Sequence, residues 1–207
     1  MKITKIKEDI TAEIASSFKN SIAIDTEATG LQIPERDKLS LIQICDESQN
    51  VFIIQPNKSN FKAPNLVSVL ENEKILKIGH FLRFDKNALE FFLKCKIKNI
   101  FDTKIASKIV RTYTDAHGLK NLVQEFCNKS IDKRQGSSDW NKDINELSEK
   151  QLEYAANDVI YLHKIHNELI KILERENRID LYKQCLNFLK TRVDLDLALF
   201  KDDIWSH

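Results

Sequence analysis

The stretch SIAIDTEATGL, starting at Ser21, runs from apolar, β-prone residues into two acids, Asp25 and Glu27. Positions i and i+2 of a strand share a face. Both carboxylates would therefore stand side by side at the end of a buried element, where they repel each other and lose hydration. Two further acids are equally awkward. Asp85 lies in GHFLRFDKNALEFF, just past an apolar run that ends at Gly79. A helix dipole favours an acid in the first turn, which alone would account for it. Asp158 lies in QLEYAANDVIYLHKI, four residues after Tyr154, so these two share one helix face. Four carboxylates that converge cannot all stay ionised without a counter-charge. Oxygen-only ligands without a Cys/His cluster point to two divalent metal ions, magnesium or manganese rather than zinc. Two such ions about 3.5–4 Å apart would stabilise the attacking and leaving oxygens of a phosphodiester. Tyr154, one turn before Asp158, could then aim the attacking water.

The elements that must position these groups are legible in outline. SIAID, 39–45 and 51–55 read as three strands, neighbours in antiparallel pairing, and 75–79 as a further buried strand. All three prolines lie in the first third. A short helix is expected near 65–72, followed by helices near 85–95, 102–111, 118–127, 149–172 and 177–190. Ser148 with Gln151 three residues on forms a capping box, and Glu149 suits the positive end of the dipole. Strands first, alternation in the middle and helices last describe a layered α/β domain with a mixed central sheet flanked by helices and a helical C-terminal half.

Bulk properties narrow the class. The chain has 207 residues, enough for one well-buried domain, and its 32 basic and 31 acidic side chains leave a formal charge of +1. That balance excludes a strongly basic, nonspecific DNA coat while allowing a local basic groove. The four cysteines, Cys45, Cys95, Cys127 and Cys185, contain no C-x-x-C pair and read as free thiols in a reducing compartment. No signal segment or membrane-length apolar run is present, so the expected location is cytoplasmic.

Asp25-x-Glu27, GHFLRFD ending at Asp85, and Tyr154-x-x-x-Asp158 resemble the three exonuclease motifs of the DEDD superfamily. The tyrosine places the resemblance in the DEDDy branch with ribonuclease D and proofreading exonucleases. DKRQGSSDW resembles ribonuclease D more narrowly, and FDTKIASKIVRTYTDAHGLKNL, SSDW and the ending RVDLDLALFKDDIWSH resemble the stand-alone, NrnC-like nano-RNases of the ribonuclease D group. The resemblance covers almost the whole chain. It implies a ribonuclease-H-like fold, with Asp25, Glu27, Asp85 and Asp158 as metal ligands and Tyr154 orienting the nucleophilic water. It implies 3′-to-5′ hydrolysis of short oligoribonucleotides, notably dinucleotides, to nucleoside 5′-monophosphates, and assembly as an octameric ring. It also implies a single exonuclease domain over 1–207, with a catalytic core at about 1–172, a C-terminal helix and tail at about 173–207, and no HRDC domain. A DNA exonuclease of the same chemistry is the first alternative, and an inactive nucleic-acid-binding scaffold the second.

The same resemblance suggests substrate contacts. Leu31 would wedge between terminal bases, against the alternative of a leucine that caps the core. His80 would sit near the scissile phosphate or terminal sugar, where a structural histidine is the plainer account. In DKRQGSSDW, Lys133 and Arg134 could neutralise phosphate, Gln135 and Ser138 could hydrogen-bond it, and Trp140 could stack on a base. A polar loop anchored by a buried Trp140 is the alternative. Lys104, Lys108 and Arg111 recur as one basic helix stripe, ordinarily a solvated face. In a ring it could instead line a channel or meet the acids Asp194, Asp196, Asp202 and Asp203 of a neighbouring subunit.

Overall fold

The computed structural model describes residues 2–33, 35–132, 136, 138–200 and 204. Six strands form one mixed sheet: β1 (Lys2–Lys7), β2 (Ser21–Ala28), β3 (Leu39–Asp46), β4 (Asn50–Gln55), β5 (Leu76–Gly79) and β6 (Ile100–Asp102), in the order β1-β4-β3-β2-β5-β6. β2 pairs antiparallel with β3, and β3 with β4, as the alternating runs suggested. β1, β5 and β6 add parallel to their neighbours. The helices are α1 (Ala12–Ser17), α2 (Pro64–Glu71), α3 (Arg83–Leu93), α4 (Thr103–Val110), α5 (Leu119–Cys127), α6 (Glu149–Ile160), α7 (Leu162–Arg175) and α8 (Ile179–Leu197). The mixed sheet and its helical cover bear out the expected fold class.

Strand alternation divides the core in two. Ala23, Leu41, Cys45, Val51 and Ile53 belong to a cluster with buried residues of α4, α5, α6 and α7. Ile22, Ile24, Ile42, Ile44 and Ile54 belong to another with residues of α2, α3 and α8. The site acids inherit this division, because they continue β2 beyond its apolar half.

Several boundaries differ from expectation. β1 was not anticipated; its isoleucines alternate with cations, and only partial burial backs them. β6 is three residues long, too short to show a period. The single helix expected over 149–172 is two: the capping box at Ser148 forms as read, but α6 stops at Tyr161, whose amide reaches back to the carbonyl of Val159. No proline or glycine marks that break. α8 continues seven residues past the expected 190, through a polar turn whose acids are satisfied by basic side chains of the same chain. All four cysteines are free. Among the described residues no helix is long and apolar enough to cross a membrane.

Candidate active site

β2 ends where it is most useful. Its register with β3 shifts between Glu27 and Ala28, a bulge of the kind that re-aims side chains beside active sites. Up to that point alternation holds, so Asp25 and Glu27 continue the face of Ala23, which α6 covers. There the carboxylate oxygens of Asp25, Glu27 and Asp158 lie within 4.8 Å of one another. Tyr154 belongs to the same cluster: burial, then the charges of Asp158, Glu27 and Asp25, push its hydroxyl well above the ordinary phenol range.

Asp85 approaches from the other face. Thr26 continues the side of Ile22 and Ile24, towards α3, and its hydroxyl donates to Asp85 Oδ1 at 2.6 Å. Asp85 stands outside the compact trio but lines the same cavity as Asp25. Burial pushes its pKa up to about 7; the Thr26 hydrogen bond opposes this and the charge of Asp102 adds to it. The trio and Asp85 thus flank one strand end, the trio on the α6 side and Asp85 on the α3 side.

The cavity has a volume of about 680 Å³, and its lining includes Leu31, His80, Phe81, Leu199 and Phe200 besides Asp25 and Asp85. Leu31 is 82% exposed and does not cap the core. Its loop is tied down by Asp37, which accepts from the Gln32 amide at 2.8 Å and from Arg36 Nε at 3.0 Å. A Cβ on Gly30 would fall 2.6 Å from Asp37 Cγ, so only glycine permits this closure. His80 is held by Thr103. The Thr103 hydroxyl donates to the Gly79 carbonyl at 3.0 Å, so His80 Nδ1 must donate to Thr103 Oγ1 at 2.9 Å.

Other sequence-stretch candidates fall differently. Trp140 is 3% exposed and its ring lies 5.8 Å from that of Tyr154, so it is the buried anchor and offers no face to a base. Ser138 is half-buried in the same loop; Lys133, Arg134 and Gln135 lie outside the described residues. The basic stripe is not a stripe. Arg111 is buried, bonded to Glu125, the Ser107 hydroxyl and the Ala116 carbonyl, and the Lys104 ammonium lies 3.9 Å over the Phe81 ring. Asp194 and Asp196 pair within the chain, with Lys96 and with Arg83 and Arg192, rather than awaiting a neighbour. Asp202 and Asp203 are outside the described residues.

Four site features escaped sequence reading: Thr26, Asp102, Gln43 and the end of α8. Thr26 was readable, since it sits between two acids and alternation turns it the other way. Asp102 caps α4 and also accepts from the Phe81 and Leu82 amides, at 3.2 and 2.7 Å. It thereby holds Phe81 in a left-handed turn, φ 66°, between His80 and Asp85. Gln43 pairs with Asp25 across the strands and is fully buried with neither side-chain amide atom bonded. Asn87 Oδ1, in the cavity lining, is also buried without a partner. The unpartnered amide oxygens of Gln43 and Asn87, near clustered hard-oxygen acids, fit a cationic guest, and the donor set suits magnesium or manganese.

Comparison with known proteins agrees with this geometry. Residues 3–174 match the 3′–5′ exonuclease family. Ribonuclease D of Gluconacetobacter diazotrophicus is 29% identical over 200 residues, 95% of this chain and 48% of that protein. Ribonuclease D of Haemophilus influenzae is 33% identical over 185 residues, 88% of this chain and 42% of that protein. The chain thus spans about half the length, or less, of these curated relatives. Brucella melitensis NrnC superposes with a TM-score of 0.92 at 42% identity, over 100% of both chains. The same protein is known with bound Mg2+, at a TM-score of 0.91, and bound to pGG, at 0.92. Because the matched span holds all four acids and Tyr154 and a full-length likeness accompanies it, the chain belongs to the 3′–5′ exonuclease family, in its ribonuclease D and NrnC group.

Proposed function

We propose that this protein is a metal-dependent 3′-to-5′ exoribonuclease that hydrolyses short oligoribonucleotides, dinucleotides above all, to nucleoside 5′-monophosphates. The observation that carries the proposal is the convergence of Asp25, Glu27 and Asp158 within 4.8 Å, with Asp85 across the strand on a cavity that Asp25 also lines. Asp25, Glu27, Asp85 and Asp158 would hold two divalent ions, Mg2+ or Mn2+. When bound, these supply Lewis-acid stabilisation of the phosphodiester oxygens and a more acidic water. The protein's own groups do the rest. Tyr154 orients the nucleophilic water through its hydroxyl. His80, fixed through Nδ1 by Thr103, presents its other edge at the phosphate or terminal sugar. Leu31 separates the terminal bases, and the loop carrying Lys133, Gln135 and Ser138 contributes phosphate contacts.

Cavity size and the likeness to the NrnC bound to pGG support this substrate class. About 680 Å³ lies in the range of roughly 300–1,000 Å³ typical of sites that enclose a small ligand. We read residues 1–207 as one exonuclease domain, a core of about 1–172 with α8 and the tail added, and the assembly as a homo-oligomer in the cytoplasm. Leu181 and Phe188 on α8, 52% and 47% exposed, support the oligomer.

The decisive experiment supplies Mg2+ with three substrates: 5′-phosphorylated diguanylate, a longer single-stranded RNA and duplex DNA. Preferred release of guanosine 5′-monophosphate from the dinucleotide, abolished by a chelator, is the expected result. Equal or faster degradation of duplex DNA rejects the RNA assignment in favour of a DNA exonuclease. No cleavage of any of the three favours a scaffold.

A further inference from the structure

The cavity has a wall beyond the segment that matches the family. The match ends at residue 174, yet Asp196, Leu199 and Phe200 line the cavity together with Asp25, Asp85 and Leu31. These residues come from the end of α8, which shares a core cluster with α3 through Leu189 and Val193 beside Leu89 and Leu93. Arg83, two residues before Asp85, grips Asp196 with both ends of its fork: Nε to Oδ2 at 2.7 Å and Nη2 to Oδ1 at 2.8 Å. Arg192 Nη2 donates to Asp196 Oδ1 and to the Phe200 carbonyl, each at 2.9 Å. Bidentate arginine–carboxylate pairs fix geometry as well as adding attraction.

The helix then ends in a Schellman turn. The Leu199 amide bonds the Asp196 carbonyl and the Phe200 amide the Leu195 carbonyl, both at 3.0 Å. Leu199 occupies the left-handed position of that turn, with φ at 65°. Glycine takes this position without strain; leucine does not. The strain is not offset by burial, because Leu199 is 53% and Phe200 52% exposed. A strained backbone that displays a large apolar side chain at a catalytic cavity points to a task for that side chain.

We propose that the end of α8 is a substrate-specificity element: Leu199 and Phe200 form an apolar wall that receives a nucleobase of a short single strand, across the cavity from Leu31. Arg83, Asp196 and Arg192 are positioning residues that hold this wall at a set distance from Asp85. The proposal rests on the nuclease reading above and assigns part of its specificity. Contact with the π face of a base is tolerant of sequence, so the wall selects strand type and length rather than a particular nucleotide.

The test measures binding and turnover separately. With Ca2+ replacing Mg2+, the affinity for 5′-phosphorylated diguanylate is measured by calorimetry for the parent, Leu199→Gly, Phe200→Ala and Asp196→Asn. Leu199→Gly should melt at or above the parental temperature, since the turn is relieved, while its Kd rises roughly tenfold. Phe200→Ala should show a similar loss, and Asp196→Asn a smaller one. In Mg2+ the rise in KM should exceed any fall in kcat. A Leu199→Gly protein that melts below the parent, or Leu199→Gly and Phe200→Ala proteins that bind with parental affinity, would overturn the proposal. A parent that binds no dinucleotide also overturns it. A parent that binds the dinucleotide through Leu199 and Phe200 but cleaves nothing in Mg2+ upholds the wall and removes the nuclease reading, so the two failures are distinct.

Discussion

Because alternation along β2 turns Asp25 and Glu27 towards α6 and Thr26 towards α3, one short segment serves both faces of the sheet. Glu27, Asp85 and Asp158 were legible as misfits: acids where apolar packing was expected. What could not be read was the side from which each arrives, since that depends on helix placement. Thr26→Val tests the α3 side. It keeps the shape of the side chain but leaves the buried Asp85 carboxyl without its 2.6 Å donor, so stability should fall by about 1–3 kcal/mol in urea denaturation. An unchanged midpoint would mean that Asp85 is supported elsewhere. Tyr154→Phe tests the α6 side. The ring still packs near Trp140, so the melting temperature should hold, whereas kcat should fall roughly a hundredfold with loss of the hydroxyl proposed to orient the water. Full kcat in that variant would remove Tyr154 from the proposed chemistry.

The elements that carry these residues are held by connections a periodicity scan does not register. Asp102 and Thr103 stitch the β5–α3 junction to the start of α4, and Asp37 closes the loop that displays Leu31. The runs that became β2–β5 were readable because apolar β-branched residues fill them. The break at Tyr161 was not, because tertiary packing rather than a breaker residue makes it. Gly30→Ala follows from the loop: its Cβ would enter the Asp37 carboxylate, costing about 1–3 kcal/mol as overpacking does and loosening Leu31, with a raised KM for the dinucleotide as the readout. The α3–α8 clamp adds a pH dependence. Burial works to raise the Asp196 pKa, but hydrogen bonds and charge from Arg83, then Arg192, outweigh it and hold the group below its ordinary 3.8. A folded-state pKa below the unfolded one stabilises the fold above the ordinary value, and that contribution is lost as pH falls through the lowered one. The stability difference between parent and Asp196→Asn, measured from about pH 6 down to about pH 2, should therefore shrink towards the acid end. A difference that stays constant would show that the clamp is not ionic.

At the scale of the molecule, α8 does two things at once. Its end lines the catalytic cavity, while Leu181 and Phe188 on its outer side line a second cavity of about 660 Å³ that shares Phe81 and Arg83 with the first. Phe81 and Arg83 therefore face both the cavity that Asp25 and Asp85 line and the one beside the apolar face of α8. Nothing in the sequence pattern shows this, because α8 reads as a polar terminal helix and its contacts with α3 are long-range. If copies of the chain associate through that face, assembly and substrate binding share the same side chains, and disturbing one disturbs the other. Sedimentation velocity should give a mass several times the 24.1 kDa of one chain. Phe188→Arg should shift the distribution towards the mass of a single chain by placing a charge in an apolar contact. It should also weaken dinucleotide binding, through Phe81 and Arg83, although Phe188 itself lies outside the catalytic cavity. A parent that sediments as a single chain removes the assembly, and a dissociated Phe188→Arg protein with parental affinity for the dinucleotide shows that the two cavities act independently.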